Sequence, residues 1–342
     1  MQKNIADYKL AVVGAGSWGT ALANLLATKG YTVDHWVFEE DICAQMTADR
    51  ENKPFLPGVR LSENLRPNND LNAVVADKDL LLLVVPSHVM RVATSQIADR
   101  VGPGTIVACA SKGIENETYL TMSGVLGETL PQMPAENFAV LSGPSFAREV
   151  AQGAPTAVTV ASGSLTTAET VQKIFATPAF RVYTNDDVIG VELGGSVKNV
   201  IAIAAGVIDG LGMGLNTRAA LITRGLTEMR RLGVCMGANP RTFPGLAGVG
   251  DLVLTCTGDL SRNHTVGKEI GKGKRLKELL AEMHMVAEGV KTAKSVYNLS
   301  RKLEVEMPIS HAIYRVLYED LPPRDAVYAL MTRDLKHELD AT

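Results

Sequence analysis

Leu10-Ala11-Val12-Val13-Gly14-Ala15-Gly16-Ser17-Trp18-Gly19 is the stretch whose reading decides the fold. An apolar run of strand length turns through glycines at the first, third and sixth places of a G-x-G-x-x-G. It then enters the helix-like segment Thr20 to Thr28. Glycines at those places permit the tight turn and let backbone N–H groups approach a pyrophosphate at a helix N-terminus. The six-residue string alone is weak. Its setting, between a strand and a helix, is what a nicotinamide or flavin dinucleotide site requires.

Outward from that turn, short β-rich runs alternate with helix-like segments. The candidate strands are Leu10–Val13, Thr32–Phe38, Leu80–Val85, Thr105–Ala110, Phe138–Ser142 and Thr156–Ala161. This alternation predicts a Rossmann-type doubly wound α/β unit, a parallel sheet covered on both faces. In such sheets ligands bind beyond the carboxyl ends of the strands. Those ends carry Gly14–Gly19, Pro86-Ser87-His88, Ser111-Lys112-Gly113 and Gly143-Pro144-Ser145. Four small, polar or charged loops after apolar strands read as one lined crevice. From Ile189 onward strand signals nearly vanish, and helical segments follow at Val191–Val207, Ala219–Leu232, Arg262–Gly271, Arg275–Met283, Ala287–Lys302 and His311–Tyr318. The expected division is a dinucleotide-binding domain over 1–189 and a mainly α-helical substrate domain over 190–342.

The chain has 342 residues, 46% of them hydrophobic, and a formal net charge of −3. That balance speaks against a nucleic-acid binder, which needs a basic surface. Cys43, Cys109, Cys235 and Cys256 show no C-x-x-C spacing, as expected of reduced thiols in the cytoplasm. No signal-peptide pattern opens the sequence, and no apolar run is read as approaching the ~20 residues of a membrane helix. A soluble cytoplasmic protein is expected, with no integral membrane association. The histidines lack metal-ligand spacing, so no metal is expected.

Three segments carry residues suited to chemistry. In Gly194-Gly195-Ser196-Val197-Lys198 the paired glycines share a helical face with Lys198. A ligand could rest on the bare backbone while Lys198, desolvated and with a lowered pKa, serves as a general base. The alternative is tight helix packing, with Lys198 snorkelling to water. Lys112, just past a buried strand, could neutralise a phosphate or polarise a carbonyl, or be an ordinary turn lysine. In Asp251 to Asn263, Ser261 can cap the next helix, or an anion can take that place beside Arg262 and Asn263. His88 has no recognisable partner and reads as incidental. Met283-His284-Met285 reads as packing.

Together these segments resemble the bacterial-type NAD(P)-dependent glycerol-3-phosphate dehydrogenase family, from about residue 9 to residue 335. The likeness is carried by Gly14–Thr20, Val84-Val85-Pro86-Ser87-His88, Ser111–Gly113, Ser142-Gly143-Pro144-Ser145-Phe146-Ala147, Leu193–Asn199, Gly248–Thr257 and Ser261-Arg262-Asn263. The resemblance implies reversible hydride transfer between sn-glycerol 3-phosphate and dihydroxyacetone phosphate, using NAD or NADP, to supply phospholipid synthesis. It also implies a homodimer. Lys198 matches the family's proton acceptor. Lys112, Gly143, Ser145, Asp251, Ser261, Arg262 and Asn263 match substrate positions. Gly14, Gly16, Ser17, Trp18, Gly19, Phe38, Lys112, Ala147, Arg262, Val286 and Glu288 match cofactor contacts.

The chain departs from the family after the second strand. A basic residue often stands there in relatives that favour NADPH, whereas here Phe38 is followed by Glu39, Glu40 and Asp41. An acid at Glu39 would bind a ribose 2′-hydroxyl and repel a 2′-phosphate, so NADH is the expected better cofactor. A β-hydroxyacid dehydrogenase would not need Ser261-Arg262-Asn263. A silent dinucleotide sensor would not need Lys112 and Lys198 together.

Overall fold

The computed structural model describes residues 4–282 and 287–338. Among these residues ten strands occur: β1 (Leu10–Val13), β2 (Val33–Trp36), β3 (Glu51–Asn52), β4 (Leu56–Arg60), β5 (Leu65–Asn68), β6 (Leu80–Leu83), β7 (Ile106–Cys109), β8 (Phe138–Ser142), β9 (Thr156–Ala161) and β10 (Phe180–Asn185). Eight form one sheet in the order β10-β9-β8-β7-β6-β1-β2-β5, and β3 and β4 pair as a separate hairpin. Burial on both faces shapes the central strands. Leu10 and Val12 of β1, with Leu80 and Leu82 of β6, enter one core cluster. Ala11, Val13, Leu81 and Leu83 enter the cluster on the opposite face. A strand packed on both sides can be apolar throughout.

Two features depart from the sequence reading. The sheet is not wholly parallel, because β9 runs antiparallel to β8 while β10 runs parallel to β9. The edge strands β5 and β10, and the β3–β4 hairpin, were also not anticipated. β5 carries Pro67 within Leu-Arg-Pro-Asn, a composition tolerated only at an edge. β1, β2, β6, β7 and β8 share one direction. Their carboxyl ends therefore gather the four expected loops along one edge.

Beyond β10 the chain is helical among the described residues. The helix Val188–Gly210 is buried from Gly190 to Ile208. It is long and apolar enough to cross a membrane by length and composition, contrary to the sequence reading, yet other helices enclose it. Glycines let one of them approach to backbone contact. A Cβ on Gly206 would stand 2.0 Å from His264 O, and one on Gly267 2.0 Å from Ile203 O. Gly210 and Gly271 repeat the contact one turn on. This seam clamps Val188–Gly210 to the helix Arg262–Gly271. Toward the sheet, Glu192 accepts hydrogen bonds from Ser123 N at 2.7 Å and Ser123 Oγ at 2.6 Å. It thereby holds the first turn of the helix Met122–Thr129.

Candidate active site

Lys198 sits mid-helix, only 6% exposed. Its Nζ donates to Asp251 Oδ1 and, at 2.8 Å, to Thr255 Oγ1. Asp251 opens the helix Asp251–Thr257, and Thr255 lies one turn later on the same face. The Thr255 hydroxyl donates to Asp251 O at 2.6 Å. Asp251 Oδ2 accepts from Lys112 Nζ at 2.6 Å. Lys112 comes from the loop after β7 and passes in contact with residue 195, whose glycine makes room for Ser142 Oγ. A Cβ there would lie 2.7 Å from Ser142 Oγ and 3.5 Å from Lys112 Cδ. Gly194 is needed for a different reason, since its Cβ would stand 2.4 Å from Ala247 O. The paired glycines thus admit protein atoms, not a ligand on bare backbone. Lys198 does not snorkel to water.

The electrostatics follow from burial and pairing. Burial pushes the Lys198 ammonium down to about 7; Asp251 opposes the shift and Lys112 adds to it. Burial pushes the Asp251 carboxyl up, but Lys112 and Lys198 outweigh this and hold it below its usual range. Near neutral pH Asp251 is therefore a carboxylate held by the Lys112 ammonium, beside a Lys198 that exchanges its proton readily. An amine poised near the working pH suits general acid–base transfer.

At the next loop, Ser87 Oγ donates to Glu288 Oε2 at 2.7 Å. Gly113 permits this approach, because its Cβ would lie 2.4 Å from Ser87 Oγ. Burial raises the Glu288 carboxyl above its usual range; the Ser87 hydrogen bonds and the Arg262 charge limit the rise. Ser261 Oγ accepts from His264 N at 3.2 Å and caps the helix Arg262–Gly271. Asn263 Nδ2 donates to Asn199 Oδ1 at 2.9 Å, and its Oδ1 accepts from Gly289 N at 2.9 Å. Arg262 is exposed and makes no hydrogen bond or ion pair among the described residues.

The glycine turn has the shape of an anion cradle. Gly14 has φ +113, and its Cβ would lie 2.7 Å from Val84 O; a Cβ on Gly19 would lie 2.0 Å from Gly14 O. Gly16 is the opposite case: its Cβ would meet nothing within 4 Å. Gly16 precedes the helix Ser17–Thr28 without a side-chain cap. The N–H groups of Gly16, Ser17 and Trp18 donate to no backbone acceptor among the described residues. Open space beside Gly16, free donors and a helix N-terminus fit a dinucleotide pyrophosphate.

The remaining expected residues fall around this edge. Gly143 has φ +138 and packs under β9, where a Cβ would lie 2.9 Å from Val158 Cα. Ser145 Oγ donates to Gly143 O at 3.0 Å. Ala147 opens the helix Ala147–Ala151. Phe38 is 73% exposed past β2, and Glu39 precedes the helix Glu40–Asp49. His88 is exposed and makes no hydrogen bond among the described residues. Val286 and the Met283-His284-Met285 cluster lie outside the described residues. Sequence reasoning placed Ser87, Asn199 and Thr255 inside its motifs but assigned them no role. The four-residue spacing sets Thr255 on the helix face of Asp251, a signal present in the sequence.

A glycine turn shaped for a dinucleotide phosphate, in one chain with a buried lysine held by an aspartate, is the pattern of a dinucleotide-dependent oxidoreductase. Residues 9–168 match the family model described as NAD-dependent glycerol-3-phosphate dehydrogenase N-terminus, and residues 187–328 match the C-terminus of the same family. The chain belongs to the NAD-dependent glycerol-3-phosphate dehydrogenase family. It is 60% identical over 330 residues to glycerol-3-phosphate dehydrogenase [NAD(P)+] of Geobacter metallireducens, covering 96% of this chain and 98% of that one. The crystal structure of glycerol-3-phosphate dehydrogenase from Coxiella burnetii superposes with TM-score 0.91 at 43% identity, covering 95% and 99% of the two chains. The yeast enzyme gives 0.80 at 30% identity, covering 93% and 98%.

Proposed function

We propose that this cleft interconverts sn-glycerol 3-phosphate and dihydroxyacetone phosphate with NAD(P), and that Lys198 moves the hydroxyl proton. The observation that carries the reading is the buried Lys198 amine, aimed by Asp251 and Thr255. A nicotinamide held in this cleft would supply the hydride chemistry, hydride acceptance from the carbinol carbon in oxidation and hydride return to the ketone in reduction. In oxidation the neutral Lys198 Nζ takes the proton from the substrate hydroxyl; in reduction the ammonium gives it back. Asp251 fixes the amine's direction, and Lys112 neutralises the carboxylate while facing substrate and cofactor. Removing substrate oxygens from water strengthens each of these contacts.

At the phosphate end the Arg262 guanidinium, the Ser261 hydroxyl hydrogen and the second amide hydrogen of Asn263 are donors available to a dianion. Gly143 and Ser145 complete the substrate positions. Gly14, Gly16, Ser17, Trp18, Gly19, Phe38, Ala147, Glu288 and Val286 serve the dinucleotide, with Lys112 and Arg262 shared. Residues 1–189 form the dinucleotide half and 190–342 the substrate half. The reading extends to a cytoplasmic homodimer that supplies phospholipid synthesis, and sedimentation analysis tests the dimer. Adding dihydroxyacetone phosphate should consume NADH or NADPH absorbance. No consumption with either cofactor sinks the proposal.

Two further outcomes follow. Because burial lowers Lys198 to about 7, kcat/KM for oxidation should rise with pH through that value and then level off. For reduction, which needs the protonated amine, kcat/KM should fall across the same range. Profiles flat around neutrality in both directions would remove Lys198 as the titrating group. The second outcome concerns the exposed Phe38-Glu39 corner, where a carboxylate suits a ribose diol and repels a phosphate. NADH should therefore show the higher kcat/KM, and a strong NADPH preference would contradict that assignment.

A further inference from the structure

The carbonyls of the glycine turn are held by hydrogen bonds, which fixes the amides that follow them. In a trans peptide the C=O and the following N–H point in opposite directions. Fixing the Ala15 oxygen therefore aims the Gly16 N–H, and fixing the Gly14 oxygen aims the Ala15 N–H. Ala15 O accepts from Asn52 Nδ2 at 2.8 Å and from Thr20 Oγ1 at 3.2 Å. Gly14 O accepts from His35 Nε2 at 3.1 Å. Gly16 O accepts from Thr20 N at 2.9 Å, which aims the Ser17 N–H.

Asn52 is fully buried and lies on the small β3–β4 hairpin, outside the main sheet. Both of its amide hydrogens are engaged, since Nδ2 also donates to Thr20 Oγ1 at 2.8 Å. Its Oδ1 accepts from Phe55 N at 3.2 Å. Leu56 and Val59 of the same hairpin pack with Ala21, Trp18 and Ala147. The hairpin is thus seated directly on the first turn of the helix after the glycines. His35, also fully buried, has no partner at Nδ1. Burial pushes its ring down to about 4, so it stays neutral and donates from Nε2 to the Gly14 carbonyl.

We propose that Asn52 and His35 are positioning residues for the dinucleotide pyrophosphate, the β3–β4 hairpin acting as a brace that aims the N–H groups of the glycine turn. This rests on the turn being the pyrophosphate seat. Asn52→Asp keeps the shape but sets an acceptor against the Ala15 carbonyl, tilting that peptide. The expected result is an increase of about tenfold in Kd for NADH and for ADP-ribose, the size of one lost buried hydrogen bond. NADH binding is read by quenching of Trp18 and Trp36, the only tryptophans; ADP-ribose, by its displacement of NADH. The melting temperature should fall, because the new carboxyl is buried against an acceptor, but in the folded variant the KM for dihydroxyacetone phosphate at saturating NADH should hold. A purely structural residue would lower the melting temperature without singling out pyrophosphate ligands.

Thr20→Val, which removes one of Asn52's acceptors at little change in volume, is the second variant and should weaken the same two ligands. If both variants bind NADH and ADP-ribose within about twofold of the parent, the brace is overturned. If the parent itself binds neither ligand, the pyrophosphate seat fails instead.

Discussion

Lys198→Ala is expected to lower kcat in both directions by about 10²- to 10⁴-fold, the usual worth of a positioned general acid–base. The dinucleotide should still bind, because the glycine turn is built from β1 and the helix Ser17–Thr28, which do not include Lys198. The cavity left by the buried stem should cost about 2–5 kcal/mol of stability, without a further electrostatic loss. Asp251 keeps the Lys112 ammonium at 2.6 Å, so no charge is left buried alone. Steady-state kinetics in both directions, with NADH binding measured separately, check the result. Turnover close to the parent's would move the proton-transfer role elsewhere.

The second large effect is expected at Asp251, which is 1% exposed and lies between two lysines. Asp251→Ala removes the counter-charge of both and should cost about 3–5 kcal/mol, as breaking one side of a buried ion pair does. Denaturant unfolding of the variant reads that loss. Asp251→Asn separates charge from shape. The carboxylate raises the Lys198 pKa against the effect of burial. Its loss should therefore shift the midpoint of the oxidation profile below about 7. An unmoved midpoint would mean that Asp251 and Lys198 are not coupled.

Much of this arrangement was legible in the sequence, because the residues concerned answer to local rules. Phe138–Ser142 and Thr156–Ala161 are found with the bounds their apolar runs predict, and Arg262–Gly271 follows its serine cap. Leu80–Leu83 and Ile106–Cys109 are shorter than read, since the loop that carries chemistry begins before the apolar run ends. What was not legible depends on contact between distant segments. The antiparallel turn of β9 leaves no mark in its own composition. Phe180-Arg181-Val182-Tyr183 alternates, but as an edge strand it exposes every second residue and gives a weak signal.

The site divides in the same way. Lys112, Lys198 and Asp251 could be named from their motifs, but only the fold brings Lys112 Nζ across Gly195 to Asp251. Paired glycines in a helix signalled a close approach. They could not say whether a ligand or another part of the chain made it. Asn52 sits in a segment with no chemical motif, and its importance appears only when the Ala15 carbonyl is traced to its donor.

The glycine seam between Val188–Gly210 and Arg262–Gly271 has a metric consequence. Lys198 stands about two turns before Gly206 on one helix, and Arg262 opens the other. Where the helices touch through main-chain atoms, no side chain can change rotamer to widen or narrow the gap. The two helices behave as the fixed jaws of a caliper, one tipped with an amine and the other with a guanidinium. Under the proposed assignment, the backbone seam sets the span between the two anchor positions, and the reach of the Lys198 and Arg262 side chains sets what fits between them.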